Sequence, residues 1–80
     1  MNKVRRNELA KISVAISDLS SQVESLMDEE QEYYDNMPES FQGGDKGEST
    51  QLAIDSLQSV IDSFDEIVNY IDEAQATPPR

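Results

Sequence analysis

Cysteine, histidine and tryptophan are all missing from the 80 residues. Without thiols or imidazoles there is no disulfide framework, no Cys/His zinc site, no c-type haem attachment and no thiol or histidine catalysis. Cations are scarce as well: six Lys and Arg stand against seventeen Asp and Glu, a net charge of −11. That excess of one sign argues against direct binding to nucleic acid or to an anionic membrane, since both are themselves negative. No stretch approaches the ~18–20 consecutive apolar residues of a membrane span. The basic start is followed only by isolated apolar residues, unlike the apolar core of a secretory signal, so a cytoplasmic protein is expected. With 36% hydrophobic residues, composition alone would allow disorder, and the length leaves room for one small domain.

Periodicity decides for order. Leu9, Ile12, Ile16, Leu19, Val23 and Leu26 follow one another in alternating steps of three and four, the seam of a heptad repeat. The pattern weakens through Glu30, Tyr33 and Met37, and Pro38 disfavours helical geometry at the residue before it. A first helix is predicted over residues 3–36. A second, over 48–75, carries the unbroken seam Ile54, Leu57, Ile61, Phe64, Val68 and Ile71. Residues 37–47 hold one Pro and three Gly and read as a loop. Asp45 with Glu48 has the spacing of a capping box, with Ser49 as the alternative cap. One domain over 1–76 is expected, with 77–80 a flexible tail.

Folding the chain so that paired positions sum to 80 stacks the two seams in six apolar layers, from Leu26 with Ile54 to Leu9 with Ile71. The next pair outward, Glu30 with Thr50, is polar on both sides. The fold class is therefore all-α, an antiparallel two-helix hairpin. In this register Lys3, Arg5, Arg6 and Lys11 fall beside Asp65, Glu66, Asp72 and Glu73, so exposed ion pairs between the helices are expected. Two helices bury little surface, and domains of this size are marginal alone. Ala53, Val60, Ile67 and Ala74, spaced by seven, flank the second seam, while Ser13, Ala15, Ser17 and Ser20 give the first helix small flanks for a close neighbour. A homodimer forming a four-helix bundle, with Ala53, Val60, Ile67 and Ala74 at its interface, is the economical answer.

Residues 28–39 hold six carboxylates and no cation. They sit at the C-terminal end of the first helix, where the helix dipole already disfavours anions. Local rules broken together point to function, so Asp28, Glu29, Glu30, Glu32, Tyr33, Tyr34, Asp35, Met37 and Phe41 are the candidate partner-binding residues. The competing reading has Met37 and Phe41 fold back to plug the end of the bundle, with the acids keeping it soluble. A further stripe, Asp55, Asp62, Asp65 and Asp72, is the solvent side of an amphipathic helix, or an imitation of a nucleic-acid backbone.

No enzyme is expected. No histidine can activate the serines, Lys11 and Lys46 lack a surrounding motif, and no cofactor is implied. Glu29 and Glu32 with Asp62 and Asp65 faintly resemble the Mg²⁺-binding helices of all-α nucleotide pyrophosphohydrolases. On the hairpin register, however, Asp62 lies opposite Asp18, about 21 Å of helix from Glu32, too far to share a metal.

Asn2-Lys3, Arg5-Arg6, the run from Asp28 through Asn36-Met37-Pro38-Glu39 to Gln42, Gly47-Glu48 and Ala53-Ile54-Asp55-Ser56-Leu57 resemble a family of short acidic helical proteins of bacteriophages, prophages and mobile elements. No activity comes with that likeness. It implies a context: a small non-enzymatic binding protein in a bacterial host cytoplasm, engaging a host protein. An inhibitor of a bacterial defence system, by steric blocking or as a DNA mimic of a nucleic-acid-binding host protein, is the sharpest form. A structural or assembly component is the alternative.

Overall fold

Asn2 opens the first helix: its side chain accepts from the Arg5 N–H at 2.9 Å, satisfying one of the orphan donors of a helix start. In the computed structural model, which describes residues 1–78, α1 spans Lys3–Asp35, α2 is a single turn over Glu39–Gln42, and α3 spans Asp45–Ala76. The long helices pack antiparallel as a hairpin in a rod of 62 × 15 × 11 Å. No described helix is long and apolar enough to cross a membrane.

The loop is shorter than its glycines suggest. α2 forms inside it, because Pro38 ends α1 and starts a new turn whose Phe41 and Gln42 N–H groups both donate to the Pro38 carbonyl. α3 then begins at Asp45, three residues before its predicted start, so Asp45 lies in the first turn and Ser49 inside the helix. The N-cap is Gly44, which offers no side-chain bond. The Asp45–Glu48 capping box is thus not formed, although both acids still favour the positive end of the helix dipole. Gly47 is the glycine that packing requires. It is buried, and a Cβ there would overlap the Gln42 backbone, standing 2.7 Å from its Cα. Gly47→Ala is expected to cost about 1–3 kcal/mol in urea unfolding. Gly43→Ala, which meets nothing within 4 Å, should leave the midpoint unchanged or raise it slightly.

On α3 the half-buried positions follow the predicted seam: Leu57, Ile61, Phe64, Val68 and Ile71, with Ile54 buried. On α1 the seam is turned. Its half-buried positions are Arg6, Leu9, Ser13, Ile16, Ser20, Val23, Met27, Glu30 and Tyr34, with Met37 following just past its end. Leu9, Ile16 and Val23 stand where expected, but Ser13, Ser20 and Met27 replace Ile12, Leu19 and Leu26, which are 48–55% exposed. The helix is rotated by roughly 50°, about half of one residue step. Packing explains the difference. The α3 seam is continuously large, and serines at alternate levels opposite Ile61 and Val68 let the helices approach and interlock. Of the small flanks of α1, Ser13 and Ser20 thus accommodate α3 itself, while Ala15 and Ser17 stay exposed.

The register is fixed at the open end. The Gln75 side-chain amide donates to the Arg6 carbonyl at 3.0 Å, and Arg6 Nη2 donates to the Thr77 carbonyl at 2.6 Å. These bonds place a cation against the negative end of α3. The interhelical ion pairs expected there do not form among the described residues. The one salt bridge among the described residues is Lys11 with Glu8, 3.3 Å apart on one face of α1 and well exposed. Of the predicted tail, Thr77 also holds Glu73 through its hydroxyl, at 3.2 Å, and residues 79 and 80 lie outside the described residues.

Very little is fully enclosed. Ile54 is the one buried hydrophobic residue and Thr50 the one buried polar residue among those described. The chain exposes 5918 Å², about a fifth more than the ~4,850 Å² of a compact monomer of this mass.

Candidate functional site at the acidic elbow

Three elements meet where the rod turns, and two of the last carbonyls of α1, those of Glu32 and Tyr34, find partners there. The Asn36 N–H closes the last turn on the Glu32 carbonyl at 3.0 Å, and the Met37 N–H reaches the Tyr34 carbonyl at 3.1 Å. The Gln42 side-chain amide, sent back from α2, also donates to Tyr34 O at 2.9 Å. A side chain eight residues on thus fastens α2 to the end of α1. From the other helix, Lys46 Nζ stands 5.5 Å above the Tyr33 ring, a cation–π contact between the first turn of α3 and the last turns of α1. Thr50 Oγ1 donates to the Lys46 carbonyl at 2.9 Å, and Thr50 is buried.

The proposed binding residues divide into three groups. Asp28, Glu29, Glu32 and Asp35 are exposed and take part in no salt bridge among the described residues. Asp35 accepts only the Gln31 amide, at 3.0 Å. Glu30, Tyr34 and Met37 are half-buried and continue the seam. Tyr33 and Phe41 remain 45% and 55% exposed. Phe41 does not plug the bundle, because α2 carries it to the outer side of the turn. Instead Tyr33, Met37 and Phe41, with Asn36, Pro38 and Lys46, wall an open cleft of ≈ 290 Å³ whose lining is mostly apolar. Its size fits one aromatic or long aliphatic side chain.

Asn36, Pro38 and Lys46 were not in the sequence-based set. Lys46 was the one within reach, since on the hairpin register it pairs with position 34, one residue from Tyr33. Ala53, Val60 and Ile67 are exposed along α3 and Ala74 is half-buried. Among the described residues no group of three acidic side chains is arranged to hold a metal ion. No family model, curated protein or solved structure matches the chain.

Proposed function

We propose that the chain is a non-enzymatic interaction protein: two hairpins join through their apolar faces into a four-helix bundle, and the elbow engages a cationic segment of a host protein. The observation that carries this reading is the cleft of ≈ 290 Å³, whose one charged wall is Lys46, on an elbow that also carries exposed carboxylates. An apolar slot on an elbow that carries unpaired acids suits a basic segment that inserts one large side chain and sets Lys or Arg against the carboxylates outside the slot. Asp28, Glu29, Glu32 and Asp35 supply steering, and Met37 and Phe41 supply the apolar contact. The phage-related context suggested by sequence likeness makes a bacterial protein the natural partner. Blocking that protein, or occupying a basic groove meant for nucleic acid, is the inhibitory form of the reading.

Affinity capture from a nuclease-treated bacterial lysate, with the Asp28→Lys/Glu32→Lys/Asp35→Lys variant beside the native chain, tests the proposal. One protein retained at low salt, reduced at least tenfold by the triple swap and by raised salt, is the expected result. Recovery of nothing but the protein itself would move the weight to a structural or assembly role.

A further inference from the structure

The rotation of α1 leaves a row of residues on the outside of the hairpin. Ile12, Leu19, Leu26 and Tyr33, spaced by seven, are each 45–55% exposed. On α3, Val60 and Ile67, 39% and 42% exposed, form a second row with Ala53 before them. Each row lies about 75–80° from its own seam, and in an antiparallel pair that offset brings both rows to one broad face of the ribbon. The opposite face carries Ser17, Glu24 and Gln31 against Gln58, Asp65 and Asp72. One side of the rod is apolar and the other polar.

The apolar side is complementary to itself. We infer that its occupant is a second copy, turned about a two-fold axis that crosses the rod at Leu19 and Val60, so that the two elbows lie at opposite ends. This inference rests on the dimer reading and adds its geometry. Under that operation Leu19 meets Leu19, Ile12 meets Leu26, and Arg5, the next member of the row, meets Tyr33 of the second copy. On α3, Val60 meets Val60 and Ala53 meets Ile67, small against large. Leu19 and Val60 sum to 79, within two residues of the hairpin register at Arg6 and Gln75, so a single axis centres both rows at once.

Charge selects this orientation over its alternative. With both elbows at one end, α1 of each copy would lie over α3 of the other, and the two acidic segments would crowd into the same end of the bundle. With elbows opposed, the basic start of each α1 lies along the acidic end of the other. Arg5 is exposed and its guanidinium has no carboxylate partner among the described residues. In the pair it reaches the Tyr33 ring and the Glu29 carboxylate of the second copy. Area agrees. From Ile12 to Tyr33 the face runs ~32 Å and two helices are ~20 Å wide, a footprint of ~600 Å² per copy. The total of ~1,200 Å² is at the lower bound of a stable interface. Glu29 and the Tyr33 wall of the cleft then serve self-association, and Met37 and Phe41, with Asp28, Glu32 and Asp35 on the far side of α1, are left for the host partner.

The chain has no cysteine, so Ser40→Cys on α2 places one spin label at each elbow, away from the interface. Pulsed dipolar spectroscopy on a dimer confirmed by sedimentation should give a separation near the 62 Å length of the rod. A separation of about 20 Å, two helix widths, would overturn the orientation while leaving the dimer standing. A monomer at all concentrations would overturn both. Arg5→Glu should weaken self-association about tenfold, and adding Glu29→Lys in the same chain should restore it. An unchanged dimer constant in Arg5→Glu would remove Arg5 from the interface.

Discussion

Aspartate at both Val60 and Ile67 is expected to halve the particle, from twice 9.0 kDa to 9.0 kDa, and to lower its helical signal together with its mass. In the arrangement inferred above, Val60 lies on the two-fold axis, so Val60→Asp sets one carboxylate against its own copy. Desolvating an unpaired carboxylate costs several kcal/mol, more than such a modest interface supplies. The chain already carries −11, so each added acid also raises the repulsion between copies. Val4 and Val14, both 71% exposed but on the outer side of α1, provide the control: Val4→Asp/Val14→Asp should leave the mass unaltered. Sedimentation equilibrium and circular dichroism over a range of concentrations measure both quantities. Native mass and helicity in the Val60/Ile67 variant would end the dimer reading.

The second large effect belongs to Ile54. It is the one buried hydrophobic side chain among the described residues, one helical turn after Thr50 at the enclosed end of the rod. Ile54→Ala removes its methyl groups and leaves a cavity that the neighbouring helix cannot readily fill, a loss of about 2–4 kcal/mol. A core this small supplies only ~3–5 kcal/mol in total. The variant should therefore keep only about 1 kcal/mol, read as a partial loss of helical ellipticity at room temperature and a thermal midpoint lowered by about 10–30 °C. Leu52→Ala, at a position 68% exposed, should move the midpoint by a degree or two at most. Equal losses in the two variants would mean that the enclosed end contributes no more than the surface.

How far the sequence determines this structure differs between the two helices. On α3 a single pair of rows is large and apolar, and the row beside them is broken by Ala53 and Ala74, so period and face follow from the residues alone. On α1 three rows compete. Leu9, Ile16 and Val23 belong to any seam, but they are flanked on one side by Ile12, Leu19 and Leu26 and on the other by Ser13, Ser20 and Met27. Counting apolar residues selects the first flank. The structure selects the second, because a continuously large face on α3 packs better against alternating large and small partners. Hydrophobic periodicity reports how wide an apolar arc is; which part of it a given neighbour covers depends on that neighbour. At the elbow, the exposure of Asp28, Glu32 and Asp35 follows from charge and position. The cleft does not, because Lys46 comes from the other helix and α2 is a single turn too short for helical propensity to declare.

Burial is unevenly distributed along the rod. Gly47, Thr50 and Ile54, the buried residues of α3, all lie within three turns of the elbow, and α1 has none. Contacts near the turn also join residues close in sequence, where closing the loop costs least entropy, whereas Arg6 and Gln75 must be brought together across 69 residues. The hairpin should accordingly assemble as a zipper, starting beside Gly47 and closing toward Arg6, and should open in the reverse order. A segment presented to another protein at the elbow is then held on the part of the molecule that orders first and loosens last. The open end of the rod, around Arg6 and Gln75, bears the fluctuation.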